Sequence, residues 1–328
     1  MKQLKLTSLW SLVVFMVLFN VAPPIVRAET KKRTCGPQPG QQLQHFLDEL
    51  NPGDTLIVSG TCNENVVIGD GRHNITLDGQ QGSATIHGPD PGEPTVNIRG
   101  RRITIRGFTI TGGREGIHTV RGGSAIIDGN TIQNVRTSGI VVHNQSNAII
   151  VNNTIQNNPE DGINVIGGSN AFIGIRSGHD TVASFNTIQN NGRSGVFVRR
   201  GSNARIVGNT ISGNHRDGIV VSAVSHADIS SNTIDDNGTA SASPPTAGIS
   251  VGENSGVNLG RDTGTGILDK PNNTTLAKAN KDFGIRCFIN SYANGRLNTG
   301  NGPLTPLAGT SAPTNGLSGG SCVNSLDQ

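Results

Sequence analysis

Asn-Thr-Ile recurs five times, as Asn130-Thr131-Ile132, Asn153-Thr154-Ile155, Asn186-Thr187-Ile188, Asn209-Thr210-Ile211 and Asn232-Thr233-Ile234. Successive copies lie 23, 33, 23 and 23 residues apart. A period of this size marks stacked repeats, in which each unit buries its apolar face only against its neighbours. Each unit opens with Gly and a β-branched residue, as in Gly139-Ile140, Gly162-Ile163, Gly195-Val196 and Gly218-Ile219. A Ser-x-Ala-x-Ile segment follows, as in Ser146 to Ile150, and then Asn-Thr-Ile and a polar turn. That is three short strands and three turns per unit.

Side chains alternate faces along a strand, so Ile140 and Val142 point one way, as do Ile163 and Val165. All three strands turn their apolar face to one core, and successive turns stack about 4.8 Å apart. The repeated Asn then forms a ladder of amide on amide, and Ser146, Ser169, Ser202, Ser225 and Ser255 form a second column. Structure accounts for these columns without any binding role. Leucine-rich repeats share the period, but the repeat positions here are Ile, Val and Ala, and no stretch within a unit favours a helix.

Four segments are expected. Residues 1–28 read as an export signal: Lys2 and Lys5, an apolar run from Leu9 to Val21, then Val26-Arg27-Ala28. Residues 29–54 form an N-terminal cap, with one helix face at Leu43, Phe46, Leu47 and Leu50 covering the open end of the coil. Residues 55–270 are the coil, and 271–328 an irregular C-terminal cap. Two insertions interrupt the beat, at 174–183 and 237–247, where loops of a solenoid often bind.

Removing the signal takes three bases from the 26 of the whole chain, leaving 23 against 23 acids. Global charge therefore gives no support for nucleic-acid binding. After removal no apolar run is long enough to span a membrane. Cys35, Cys62, Cys287 and Cys322 lack the close spacing of a zinc site and read as two disulfides of an exported chain. Of three possible pairings, Cys35–Cys62 with Cys287–Cys322 is favoured, because each pair would fasten one end of the solenoid.

Over residues 40–270 the Gly-Ile-x-Val, Ser-x-Ala-x-Ile and Asn-Thr-Ile-x-x-Asn units resemble right-handed, single-stranded parallel β-helix proteins of the pectin-lyase-like superfamily. The resemblance implies an all-β fold and action on acidic polysaccharides by lyase, epimerase or hydrolase chemistry. The alternative is a non-catalytic glycan-binding, envelope or adhesive protein. The expected partner is a polysaccharide or cell-envelope glycan, the expected location secreted or periplasmic, and the expected state a monomer.

Departures from the beat are where chemistry is sought. Asp161 and Asp217 precede a repeat Gly two turns apart, about 9.6 Å, near the upper limit for an inverting carboxylate pair. With His143 and Arg199 they are the catalytic candidates. His118, Arg193, Phe197 and Arg216 on the same face, and His179-Asp180 in the first insertion, are the substrate-binding candidates. The Asn-Thr-Asp and Gly-His-Gly motifs of related hydrolases are missing, and Asn158-Pro159-Glu160-Asp161 lacks the leading Asp and the His of the alginate epimerase motif. Arg99, Arg101, Arg102 and Arg106 form a basic patch. No cofactor is expected. The chain has no Asp-x-Asp run and no Gly-Gly-x-Gly-x-Asp repeat, though calcium stays open.

Overall fold

The computed structural model describes residues 27–238, 246–260, 266–270, 272–273, 283–295 and 297–298. The expected signal up to residue 26, the middle of the second insertion, most of the C-terminal cap and Cys322 lie outside the described residues.

The coil has three faces. On the first, nine strands stack from Val66–Ile68 through Val96–Ile98, Ile117–Thr119, Ile140–His143, Ile163–Ile166, Val196–Arg199, Ile219–Ser222 and Ala247–Val251 to Phe283–Cys287. The second face carries Ser124–Asp128, Asn147–Val151, Asn170–Ile173, Asn203–Val207 and His226–Ser230. The third carries Thr131–Gln133, Thr154–Gln156, Thr187–Gln189, Thr210–Ser212 and Thr233–Asp235. All pairings are parallel and set like against like: Ile140 beside Ile163, Ala148 beside Ala171, Ile155 beside Ile188. A slip by one residue would turn every Ile outward, so the alternation fixes the register.

The glycine before each first-face strand from Ile117–Thr119 to Ile219–Ser222 has a steric cause. A Cβ on Gly162 would stand 2.6 Å from Ile188 Cγ2 and 2.7 Å from the Gly195 carbonyl oxygen. The backbone of each turn there lies directly against the next.

The Asn ladder runs through the buried corner. Asn130, Asn153, Asn186, Asn209 and Asn232 each donate from Nδ2 to the side-chain oxygen of the next, at 2.8–3.1 Å. A second buried ladder, Asn158, Asn191, Asn214 and Asn237, was not foreseen as one. Its mark in the sequence is the Asn five residues after Asn153, Asn186, Asn209 and Asn232, whereas Val135 stands at that offset from Asn130. The Ser column forms as expected, each backbone N–H donating to the next hydroxyl.

At the corner after each first-face strand from Ile117–Thr119 onward the chain takes two consecutive left-handed residues. Gly122, Gly168 and Gly201 hold the second position at φ 71–72°, and Val224 holds it at φ 61° while 69% exposed. A β-branched residue there is strained by about 1–2 kcal/mol. Val224→Gly is therefore expected to raise stability by about 1 kcal/mol, the gain being trimmed by the freedom glycine adds to the unfolded chain. An unchanged or lower urea midpoint would contradict this.

The N-terminal end departs from expectation. The helix is Leu43–Asp48, shorter than the apolar spacing suggested, with Leu43, Phe46 and Leu47 buried. Its first N–H groups donate to the Glu64 carboxylate in place of a capping side chain. The outermost position of the sheet belongs to an unforeseen strand, Thr30–Cys35, paired in register with Thr55–Gly60. Its Lys31, Lys32 and Arg33 place charge on an open edge, which discourages further strands from adding. Cys35 and Cys62 are joined by a disulfide. Cys287 is also disulfide-bonded, and the Cys322 proposed as its partner lies outside the described residues. Among the described residues no helix is long and apolar enough to cross a membrane.

Candidate functional site

The outward positions of the first face are unlike those of the other two. Two outward columns run along it. One passes from Asn97 through His118, Val141, Asn164 and Phe197 to Val220. The other carries His143, Ile166, Arg199 and Ser222. Buried polar atoms without a partner gather on the outward side of this sheet and at its edge: Asn97 Oδ1, Arg99 Nε, both His118 ring nitrogens, Asn164 Oδ1 and Arg199 Nε. A buried polar group left unpaired costs about 1–3 kcal/mol, so such a concentration calls for a ligand or water.

His118 and His143, on neighbouring strands, stack with ring centroids 5.9 Å apart and planes 8° from parallel. Burial pulls the His118 pKa down to about 4, helped by the charges of protonated His143, Arg114 and Arg99. Burial lowers His143 too, assisted by Arg200 and Arg199. Both rings are therefore neutral at pH 7. Arg199 lies 4.6 Å from the centroid of the Phe197 ring.

Asp161 and Asp217 are both buried, 2% and 9% exposed. Asp161 accepts the Ser194 N–H at 3.1 Å and the Asn164 amide at 3.2 Å. Asp217 accepts the Ala247 N–H at 2.8 Å and the Ser250 hydroxyl at 2.6 Å. Each carboxylate thus ties its corner to the next turn. Burial raises both pKa values, that of Asp161 to about 6.

A pH prediction follows from these opposed shifts. Asp161 has a raised folded pKa, so its contribution is fully present below pH 3.8 and is lost as pH climbs towards 6. The loss amounts to roughly 2–3 kcal/mol. His118 has a depressed folded pKa, so its contribution is present above 6.5 and is lost as pH falls towards 4. Asp217 reinforces the first trend and His143 the second. Asp161→Asn keeps the acceptor for Ser194, and an amide turn at Asn164 would pair its free oxygen. The variant is expected to be more stable than wild type at pH 7 by roughly 2 kcal/mol. Its stability should climb with pH between 4 and 6, where the wild type is flatter. Urea midpoints across that range decide it, and a variant no more stable at pH 7 would refute the assignment.

The other candidates fall in three places. Arg193 and Arg216 are exposed and stack on the corner that enters the first face, next to Glu160. His179 and Asp180 lie elsewhere, because their insertion leaves the second-face strand Asn170–Ile173 and returns to the third face at Thr187. There Asp180 closes its own loop, accepting from Ser177 Oγ and the Arg176 N–H. Phe172 lies on the second face, between buried Ala171 and Ile173, with Arg205 5.8 Å from its ring centroid. So the fold collects His118, His143, Phe197, Arg199 and Asp161 on or beside one face and leaves the insertion loop off it. Asn97 and Asn164 were missed as site residues. Their signal was a polar residue at an outward position between two buried β-branched ones. Among the described residues no three His, Cys, Asp or Glu side chains come together as a metal site.

Comparison with known proteins bears on the chain path. A cell surface glycoprotein of Methanothermus fervidus is 32% identical over 101 residues, which is 30% of this chain and only 16% of that protein. The alginate lyase of Paenibacillus sp. str. FPU-7 superposes with a TM-score of 0.41 at 17% identity, over 83% of this chain and 95% of that one. The periplasmic alginate epimerase AlgG does so with a TM-score of 0.45 at 18% identity, over 84% of this chain and 69% of that one. The profile of the "Right handed beta helix region" matches residues 55–175 and 170–298. With three parallel strands per turn across that span, the chain belongs to the right-handed β-helix family.

Proposed function

We propose that this exported protein engages an acidic polysaccharide along the nine-stranded face and removes a proton from the bound sugar. The His118–His143 stack carries the reading. Burial keeps the His143 ring neutral, so it offers a lone pair as general base at pH 7. Arg199 stands two strands further along the same column, about 9.6 Å away by strand spacing. Its long side chain can meet the sugar carboxylate and stabilise the charge that develops there. His143 takes the proton α to that carboxylate. The electron pair left behind then either expels the neighbouring glycosidic oxygen, forming a double bond, or is reprotonated from the opposite side. Hydrolysis would need two carboxylates facing the bond, whereas Asp161 and Asp217 are turned into the corner. The Cys35–Cys62 disulfide supports an oxidising compartment.

A second reading, a non-catalytic glycan binder, is favoured by one observation. Among the described residues no carboxylate hydrogen-bonds the His143 ring to orient it, as catalytic bases commonly require. Incubating the mature protein with polyuronates in D2O separates the two. Unsaturated ends, or deuterium at the carbon α to the carboxylate, support proton abstraction. Neither signal, with retention on a polyuronate column, supports the binder, and no retention at all ends both.

A further inference from the structure

We propose a second site, beyond the nine-stranded face, that binds a tetrahedral oxyanion: a sulfate or phosphate ester carried by a glycan. It is a concavity of about 700 Å³ at the corner leaving the first face, walled by Arg99, Arg101, Arg102, Arg121, His73 and Asp70. Four arginines line it with a single carboxylate, that of Asp70.

Unpaired arginines such as Arg136, Arg193 and Arg216 occur elsewhere, but here four of them line one cavity. Arg33, Arg72, Arg106, Arg114, Arg176 and Arg205 each hold a carboxylate within 3.0 Å. None of the four around this cavity makes an ion pair or a side-chain hydrogen bond among the described residues, and the Arg99 Nε is buried without an acceptor. Four neighbouring cations, none of them paired with the single Asp70 carboxylate, repel one another, and a bound anion relieves this.

The guanidinium groups also spring from fixed backbone. The Arg102 N–H donates to Ser124 Oγ at 2.7 Å, and the Arg101 N–H to the Arg72 carbonyl at 3.0 Å. Gly71 and Gly122 leave open space, with nothing within 4 Å of where a Cβ would stand. The sites are thus built, basic and unfilled by the protein's own side chains. A carboxylate offers two oxygens and is satisfied by one guanidinium fork, whereas a sulfate or phosphate ester has three free oxygens to share among several. Arg99 comes one residue after Val96–Ile98, the neighbour of the His118 strand, so the cavity is continuous with the first face. One polymer can therefore reach both sites.

The test uses inorganic sulfate and phosphate first, on the mature protein, against chloride at equal ionic strength. Both oxyanions should raise the melting temperature, and a sulfated oligosaccharide should bind at least tenfold more tightly than its unsulfated form. In Arg101→Gln with Arg121→Gln both effects should disappear. Glutamine suits the second position, since Gln145 already sits at φ 58° in an equivalent corner. Arg136→Gln, an exposed arginine outside the cavity, is the charge control and should bind as wild type does. The proposal is overturned if sulfate acts no better than chloride, if the control loses as much as the double variant, or if a single-stranded DNA oligonucleotide binds as well as the sulfated glycan. His143→Ala leaves the cavity intact, so unchanged sulfate binding in that variant separates this site from the proton-abstraction reading.

Discussion

Asn186→Ala is expected to cost about 4 kcal/mol, more than most single substitutions. The side chain is fully buried and makes four hydrogen bonds to three neighbours. Its oxygen accepts the Asn153 N–H at 2.9 Å and the Asn153 amide at 3.0 Å. Its amide donates to the Ile150 carbonyl and to Asn209 Oδ1, both at 2.8 Å. Alanine leaves these groups dry and unpaired, at about 1–3 kcal/mol each, partly recovered if water enters. Gln156 is the control. It forms an equally short amide ladder with Gln133 and Gln189, at 2.8 and 2.9 Å, but on the outside of the third face. Water can replace its partners, so Gln156→Ala is expected to cost under about 1 kcal/mol. Urea denaturation of both variants decides the matter. Similar midpoints for the two would mean that the ladder owes its strength to geometry alone and not to burial. A solenoid can also unfold in part, so a fall in the denaturant slope of Asn186→Ala would report separation of the two halves.

His143→Ala is expected to lower turnover on a polyuronate by roughly 10²–10⁴, the usual contribution of a positioned base. Retention on the same polymer should change little, because Arg199 and the asparagines of the first face remain. Arg199→Ala should instead weaken retention and raise KM, since it meets the carboxylate in the ground state as well as in the transition state. The pH profile gives a second readout. The His143 pKa lies below 6.5, so the wild-type rate should be level at pH 7 and fall on the acid side, where the ring takes up a proton. Added imidazole should restore part of the activity of His143→Ala by filling the space beside His118. An alanine variant with full turnover would remove His143 from the chemistry, and a rate that rises as pH falls below 6 would do the same.

How far the sequence reaches can be judged residue by residue. The 23-residue beat already separates Ile140, Val142, Ala148 and Ile155, which build the core, from the positions between them. That separation is legible because strand alternation is local and each repeat restates it. The second Asn ladder was legible as well, from Asn158, Asn191 and Asn214 at a constant offset. Partnership across turns was less so. Asp161 and Asp217 look in the sequence like a spaced carboxylate pair, and only the fold turns each into its corner, against Ser194 and Ala247. The 174–183 insertion marks a loop where a solenoid often binds, yet it leaves from the strand Asn170–Ile173 and stands on a side of the coil away from His143.

The sequence by itself therefore determined the coil, its three strands per turn, its ladders and the face on which polar residues break the apolar rule. Those features depend on periods of two and of 23 residues, and a period is a property of the chain. Tertiary structure alone decided which polar groups are dry. The neutral His118 and His143, the raised Asp161 and the unpaired arginines around Arg101 and Arg121 depend on what packs above and below each turn. Burial and charge act through space, and no spacing along the chain records them.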